Sequence, residues 1–189
     1  MADLDSGDEQ RAAKAANTLQ TANVPALSPE VLAMLAQRIN EPDNMARSAL
    51  ARLLGQHATP QYVPLLLRLL KGSDRSLHRE AVRALGRLKD QRACEPLAEM
   101  VATGRDYQAA EALKEIGPAA EEAVLRLFQE KHFDTRRQAC EILHRIGTRR
   151  SLEALREAAL SSDDMLASTA RSALEEIQAR LEMETEERR

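Results

Sequence analysis

Aromatic residues are scarce in this sequence of 189 residues: they make up 2% of it, and there is no tryptophan. Strands draw heavily on aromatic and β-branched residues. Here the hydrophobic 43% is therefore mainly alanine, leucine, isoleucine and valine, and alanine and leucine are good helix formers that suit closely packed helices. The seven glycines and seven prolines fall mostly between periodic segments. The composition predicts an all-α protein.

Cysteine and long apolar runs are also scarce. The two cysteines, Cys94 and Cys140, stand in apolar helical contexts, which predicts buried thiols in a reducing compartment. The first ten residues, MADLDSGDEQ, are acidic and lack the apolar region of a signal peptide. No apolar run approaches the ~20 residues of a membrane span. We therefore expect a cytoplasmic protein with no membrane segment.

The sequence also has no large net charge of one sign, because it contains 27 basic and 30 acidic residues. A dedicated duplex-binding domain usually carries a basic excess that neutralises phosphates. No C-x-x-C, H-E-x-x-H or glycine-rich phosphate loop occurs. Cys140 and His144 are four residues apart, but Cys140 lies beside the apolar stripe of its helix and His144 toward the polar side. We expect no catalytic residue, no metal and no cofactor.

An internal repeat organises most of the chain. Five segments, among them EAVRALGRLK and ACEILHRIGT, superpose on one pattern. Their equivalent leucines recur every 28 to 31 residues, at Leu54, Leu85, Leu113, Leu143 and Leu174. Small or apolar residues stand four before and, in most segments, three after each leucine, which places them on one helical face. Each segment is predicted to be a helix with a single buried stripe.

A second set of apolar segments lies between these helices, for example YVPLLLRLL and SLEALREAAL. Helix-start signals such as Ser28-Pro29 and Thr59-Pro60 precede some of them. Each unit is therefore a helix, a short turn and a second helix, and such hairpins must stack to bury their stripes. We predict an array over residues 28–181, with units at 28–58, 59–89, 90–117, 118–147 and 148–181. Residues 1–27 form a tail with a weak capping helix, and 182–189 form a charged tail after a last helix that ends near Leu181.

Motifs such as AVRALGRLKDQRACEPL and EALKEIGPAAEEAVLRLF resemble HEAT-like repeats. The unit of about 30 residues is shorter than the usual HEAT period of about 40–47, and it is similar to the short HEAT-like class first associated with phycobilisome lyases. The resemblance implies a right-handed α–α superhelix, a solenoid of about five hairpins. It also implies use as an interaction scaffold whose second helices line a concave groove.

Charged and aromatic side chains repeat on the predicted second helices. Stacking would align equivalent positions into rows, and a solvated face accounts for most such charges. A partner-binding surface is the alternative, with Tyr107 as its aromatic anchor, since it opens the second helix of the shortest unit and tyrosine is enriched at binding hot spots. The candidate partner-binding residues are Arg79, Arg83, Arg87, Tyr107, Arg136 and Arg137.

These features favour a non-catalytic scaffold that binds another protein. A nucleic-acid-binding HEAT-like module is the first alternative, supported by Arg136-Arg137 and Arg149-Arg150 but opposed by the net charge of -3 and the few aromatic residues. A subunit of a bilin-lyase-like enzyme is the second alternative. Only the repeat resemblance supports it, and the low aromatic content argues against a large planar ligand.

Overall fold

A computed structural model of the chain describes residue 14 and residues 28–39, 47–57, 59–104 and 107–187. All regular structure within these residues is α-helix or 3-10 helix. The chain divides into two compact units, Met1–Asp90 and Gln91–Arg189. The predicted capping helix lies outside the described residues except for Lys14, which is helical and exposed.

The first unit contains four described helices arranged as two pairs. They are α1 (Pro29–Arg38), α2 (Arg47–His57), α3 (Val63–Leu70) and α4 (Arg75–Leu88). Helix α1 packs on α2 and α3 packs on α4, and the two second helices, α2 and α4, pack directly against each other.

The second unit contains six described helices arranged as three pairs. They are α5 (Cys94–Ala102), α6 (Tyr107–Ile116), α7 (Glu121–Arg126), α8 (Phe133–Ile146), α9 (Leu152–Ala158) and α10 (Asp164–Glu187). Each first helix packs on the second helix of its own pair, and α6, α8 and α10 follow one another in a layer. Within each unit the second helices thus lie together, and we call the second helices of a unit its second-helix layer.

The buried stripe of the second helices matches the sequence pattern. Leu54, Leu85, Leu113 and Leu143 are fully buried, and each contributes roughly 1.5–3 kcal/mol relative to an exposed side chain. The alanines four residues earlier are also buried, at Ala81, Ala109, Ala139 and Ala170. Leu174, the equivalent leucine of α10, is only half-buried.

Several helix starts follow from local chemistry. The Asp74 carboxylate accepts from the backbone N–H groups of Ser76 and Leu77, at 2.9 and 3.2 Å, and caps α4. Ser28 and Thr59 occupy N-cap positions, as predicted, but their side chains make no capping hydrogen bond. A proline follows each of them. Its ring fixes φ near the helical value, and it has no backbone N–H that would need a capping partner.

The C-terminal helix is longer than the sequence predicted. Helix α10 continues to Glu187, six residues past Leu181, so the prediction that it ends near Leu181 is wrong. Glutamate and methionine are good helix formers, and the Thr185 hydroxyl donates to the Leu181 and Glu182 carbonyl oxygens. Residues 182–187 are exposed, so this extension adds charge to the surface and little to the core.

The junction between α8 and α9 tolerates only glycine at position 147. A Cβ on Gly147 would lie 2.5 Å from Ile177 Cδ1 and 2.6 Å from the Leu143 carbonyl oxygen. We expect Gly147→Ala to lower the free energy of unfolding by about 1–3 kcal/mol, because the backbone oxygen cannot move aside. Urea unfolding measures this change.

The matched control is Gly72→Ala. A Cβ at that position would meet only the Leu69 carbonyl oxygen, at 3.4 Å, so the stability should change by less than about 0.5 kcal/mol. Equal losses in the two variants would contradict the close packing of α8 and α10 at Gly147.

Candidate functional site

Four arginines follow one exposed face of α4 in the first unit. Arg79, Arg83 and Arg87, which the sequence analysis selected, share this face with Arg75 at four-residue spacing, and all four are exposed. Residues at this spacing are neighbours on a helix surface. We call Arg75, Arg79, Arg83 and Arg87 the arginine stripe.

A buried carboxylate supports the middle of the arginine stripe. The Glu80 side chain is only 8% exposed, and its Oε1 lies 3.3 Å from Arg52 Nε and 3.6 Å from Arg83 Nη1. It therefore joins α2 to α4 and fixes two guanidinium groups at the surface. Sequence reasoning missed Glu80, although the residue directly before the buried alanine is also a long polar one in two later repeats, at Gln108 and Gln138.

Arg87 lies over the seam between α2 and α4. Its Nη2 is 3.2 Å from the position that a Cβ on Gly55 would occupy, and that Cβ would also lie 2.8 Å from the Cβ of Ala84. Small residues bring the two backbones close together here, and the long arginine covers the contact. The exposed surface of this unit therefore extends from the arginine stripe onto α2, where Arg52 is 40% exposed.

Tyr107 begins α6 in the second unit and is 74% exposed. One turn further, Glu111 accepts a hydrogen bond from Lys114 Nζ at 2.9 Å. This bond holds the pKa of Glu111 below its usual value against the effect of partial burial. The Lys114 charge, the Tyr107 hydroxyl and the Arg145 guanidinium of α8 lower it further. The ring of Tyr107 is therefore exposed, and its hydroxyl group is hydrogen-bonded to Glu111 of the same helix.

Arg136 and Arg137 lie at the start of α8 but have different surroundings. Arg137 pairs with Asp134 at 3.6 Å and with Glu141, so its charge is neutralised within α8. The Arg136 guanidinium carbon stands 4.6 Å from the centroid of the Phe133 ring. Its Nε is buried without a hydrogen-bond partner among the described residues. The sequence analysis did not select Phe133, which is 44% exposed.

Two further contacts hold the last pairs of the second unit together. Buried Glu121 accepts from the Thr148 backbone N–H at 2.7 Å, from the Thr148 hydroxyl at 2.8 Å and from the Ser151 hydroxyl. Arg180 on α10 donates to the Arg145 and Gly147 carbonyl oxygens at the end of α8. Both contacts satisfy backbone groups that a helix end leaves unpaired. The first joins α7 to the turn before α9, and the second joins α10 to the end of α8.

Cys140 does not have the surroundings of a nucleophile. It is buried while His144 is exposed, and burial raises the pKa of the Cys140 thiol to about 12. Cys94 is buried as well, and its Sγ donates to the Ala119 carbonyl oxygen at 3.6 Å. Within the described part of the chain, no group of three or more His, Cys, Asp or Glu residues is arranged to hold a metal ion.

The comparisons with known proteins agree on the fold. A family model described as HEAT repeats matches residues 31–108 and 106–175. An engineered protein of known crystal structure is 20% identical, with 94% of each chain covered and a TM-score of 0.59. A designed armadillo repeat protein is 15% identical, with 93% of this chain and 97% of that chain covered and a TM-score of 0.55. These similarities show an all-α repeat solenoid. No curated protein matches the chain.

Among the described residues, no helix is both long enough and apolar enough to cross a membrane.

The thiols provide a test of the core around α5 and α8. Because the pKa of Cys140 is raised to about 12, the thiol stays protonated well above neutral pH, and only the thiolate reacts. We expect a disulfide reagent at pH 8 to label neither Cys94 nor Cys140 in the folded protein and both in denaturant. Rapid labelling of the folded protein would contradict the burial of these residues.

Glu80 provides a test of the link between α2 and α4. Glu80→Gln keeps the size of the side chain and removes its charge, so the first unit should lose about 1–2 kcal/mol of stability; solvent reaches Arg52 and moderates the loss. Exposed Glu99, on α5, gives the control Glu99→Gln, with an expected change below about 0.5 kcal/mol. Chemical unfolding compares the two, and an unchanged Glu80→Gln protein would disprove the link.

Proposed function

Because the chain belongs to the HEAT-repeat family, we propose that it is a non-catalytic scaffold that binds another protein along the exposed face of its second helices. The observation that carries this proposal is the arginine stripe, a row of exposed cations on a helix whose opposite face is fully packed. A rigid helix that presents such a row offers a partner a preorganised surface, and preorganisation reduces the entropic cost of binding.

The second unit supports the same proposal with different chemistry. Tyr107 offers a large exposed ring, and Arg136 is stacked on Phe133 close to the start of α8. Tyrosine and arginine are enriched among the residues that dominate binding energies. We assign contact with the partner to Tyr107 and Arg136. Arg137 is assigned a supporting role, because Asp134 and Glu141 already neutralise it.

The non-catalytic part of the proposal is supported by Cys140, the candidate nucleophile that has His144 four residues further along the chain. Its raised pKa is the opposite of what activation requires. The proposal also places the protein in the cytoplasm, where a reducing environment keeps thiols such as Cys94 and Cys140 free. Membership of the short HEAT-like class first associated with phycobilisome lyases stays a prediction.

Affinity capture with charge-reversed variants tests the proposal. The test variant combines Arg75→Glu, Arg79→Glu and Arg87→Glu and keeps Arg83, because a glutamate at position 83 would face the buried Glu80 carboxylate. The control variant, Arg149→Glu with Arg150→Glu and Arg156→Glu, makes the same charge change at exposed residues of the 3-10 turn before α9 and of α9 itself.

We expect the native chain and the control to retain the same captured protein and the test variant to lose it by at least about tenfold, with native circular dichroism in all three. Tyr107→Ala should weaken capture without changing the fold. Equal retention by all the variants, each still folded, would show that the second-helix layer is not the binding surface.

A further inference from the structure

The arginine stripe is less neutralised by its own helix than the equivalent faces of α6 and α8. On α8, Asp134, Arg137 and Glu141 alternate in sign and pair within the helix. On α6, Lys114 pairs with Glu111. On α4, four cations follow one another, and the acidic residue beside them, Glu80, is buried beneath the surface.

Most of the arginine stripe is unpaired within the structure. Arg83 reaches Glu80 at 3.6 Å, whereas Arg75, Arg79 and Arg87 form no ion pair with any residue that the structure describes. Like charges four residues apart destabilise a helix. The stripe therefore opposes the stability of α4, a cost that an external anion would remove.

The charge of the sequence is also uneven. The first unit, residues 1–90, carries twelve Lys and Arg against ten Asp and Glu, whereas residues 91–189 carry fifteen against twenty. The overall charge of -3 conceals this difference. The positive first unit attracts an anionic ligand that is no longer than α4. A polyanion longer than α4 gains no further attraction from residues 91–189, because their net charge is negative.

We infer that the arginine stripe is the docking site for an acidic helix of a partner protein, with Asp or Glu at four-residue spacing; this inference rests on the proposed function. Successive stripe residues are about 6 Å apart along α4, and carboxylates at four-residue spacing on a second helix repeat at the same distance. Guanidinium groups bind carboxylates through paired, charge-assisted hydrogen bonds. Arg75, Arg79 and Arg87 can therefore each meet one carboxylate of such a helix, and Arg83 adds its charge between them while it contacts Glu80.

The length of the stripe favours an acidic helix over a nucleic acid. From Arg75 to Arg87 the stripe spans about 18 Å, and duplex DNA carries about ten phosphate charges over that length. Four guanidinium groups neutralise four carboxylates but fewer than half of those phosphates. The four aromatic residues of the whole chain also provide little surface on which bases could stack.

Two synthetic helical peptides of identical composition and net charge test the inference. In the first, four glutamates lie at four-residue spacing on one face; in the second, the same glutamates are distributed around the helix. Binding to the full chain is measured by fluorescence anisotropy at about 0.15 M salt, where non-specific surface attraction is largely screened. The Arg75/Arg79/Arg87 and Arg149/Arg150/Arg156 charge-reversed variants are measured beside the native chain.

We expect the aligned peptide to bind the native chain about tenfold more tightly than the distributed one. The control variant should keep this preference, and the test variant should lose it. Equal binding of the two peptides would overturn the inference, as would a preference that survives in the folded test variant. Displacement of the aligned peptide by a DNA duplex at equal charge concentration would overturn it in favour of a nucleic acid.

Sedimentation of the native chain alone tests whether a second copy of the protein occupies the arginine stripe. If the protein associates with itself and the test variant does not, the stripe is filled by a second copy, and the inference of a separate partner is wrong. The proposed function and this inference can be tested separately. If capture of a protein depends on Tyr107 but the two peptides bind equally, the chain is still a scaffold and only the inference of an acidic helix is wrong.

Discussion

Within each unit, the packing of neighbouring second helices through small side chains governs the structure. Where α2 meets α4, a Cβ on Gly55 would lie 2.8 Å from the Cβ of Ala84, and buried alanines occupy one register of α4, α6, α8 and α10. Helices that approach this closely bury their leucines without large aromatic side chains, which accounts for a core built almost entirely from aliphatic residues. The same approach places one polar edge of each second helix at the surface, where the arginine stripe and Tyr107 lie.

Three polar contacts act on top of this apolar packing, and each uses a different chemistry. Glu80 joins two guanidinium groups, Glu121 accepts from backbone and hydroxyl donors, and Arg180 donates to carbonyl oxygens at the end of α8. Buried polar groups are costly unless they are satisfied, so each contact favours one particular pairing of helices. Because each depends on a particular pair of side chain and partner, the three contacts distinguish repeats whose apolar stripes are nearly interchangeable.

The period of the sequence was sufficient to predict the helices and their buried faces, because the Leu54, Leu85, Leu113 and Leu143 positions depend only on local spacing. It also singled out Arg79, Arg83 and Arg87, which the structure places at four-residue spacing on the exposed side of α4. Glu121 and Arg180 could not be predicted in this way, because their partners lie 27 to 35 residues away in sequence and the contacts depend on how neighbouring pairs pack. The sequence also did not show which arginines are paired with a carboxylate: Arg137 is neutralised by its own helix, whereas Arg79 is not.

Site-specific photo-crosslinking tests most directly whether the second-helix layer is the binding surface. A photoreactive amino acid replaces one exposed residue at a time: Arg79 or Tyr107 on second helices, and Glu99 or Glu153 on first helices. If the second helices bind the partner, a captured partner becomes crosslinked from positions 79 and 107 and not from positions 99 and 153. Crosslinks from the first helices alone, with the protein folded, would contradict this prediction and place the binding surface on the opposite layer.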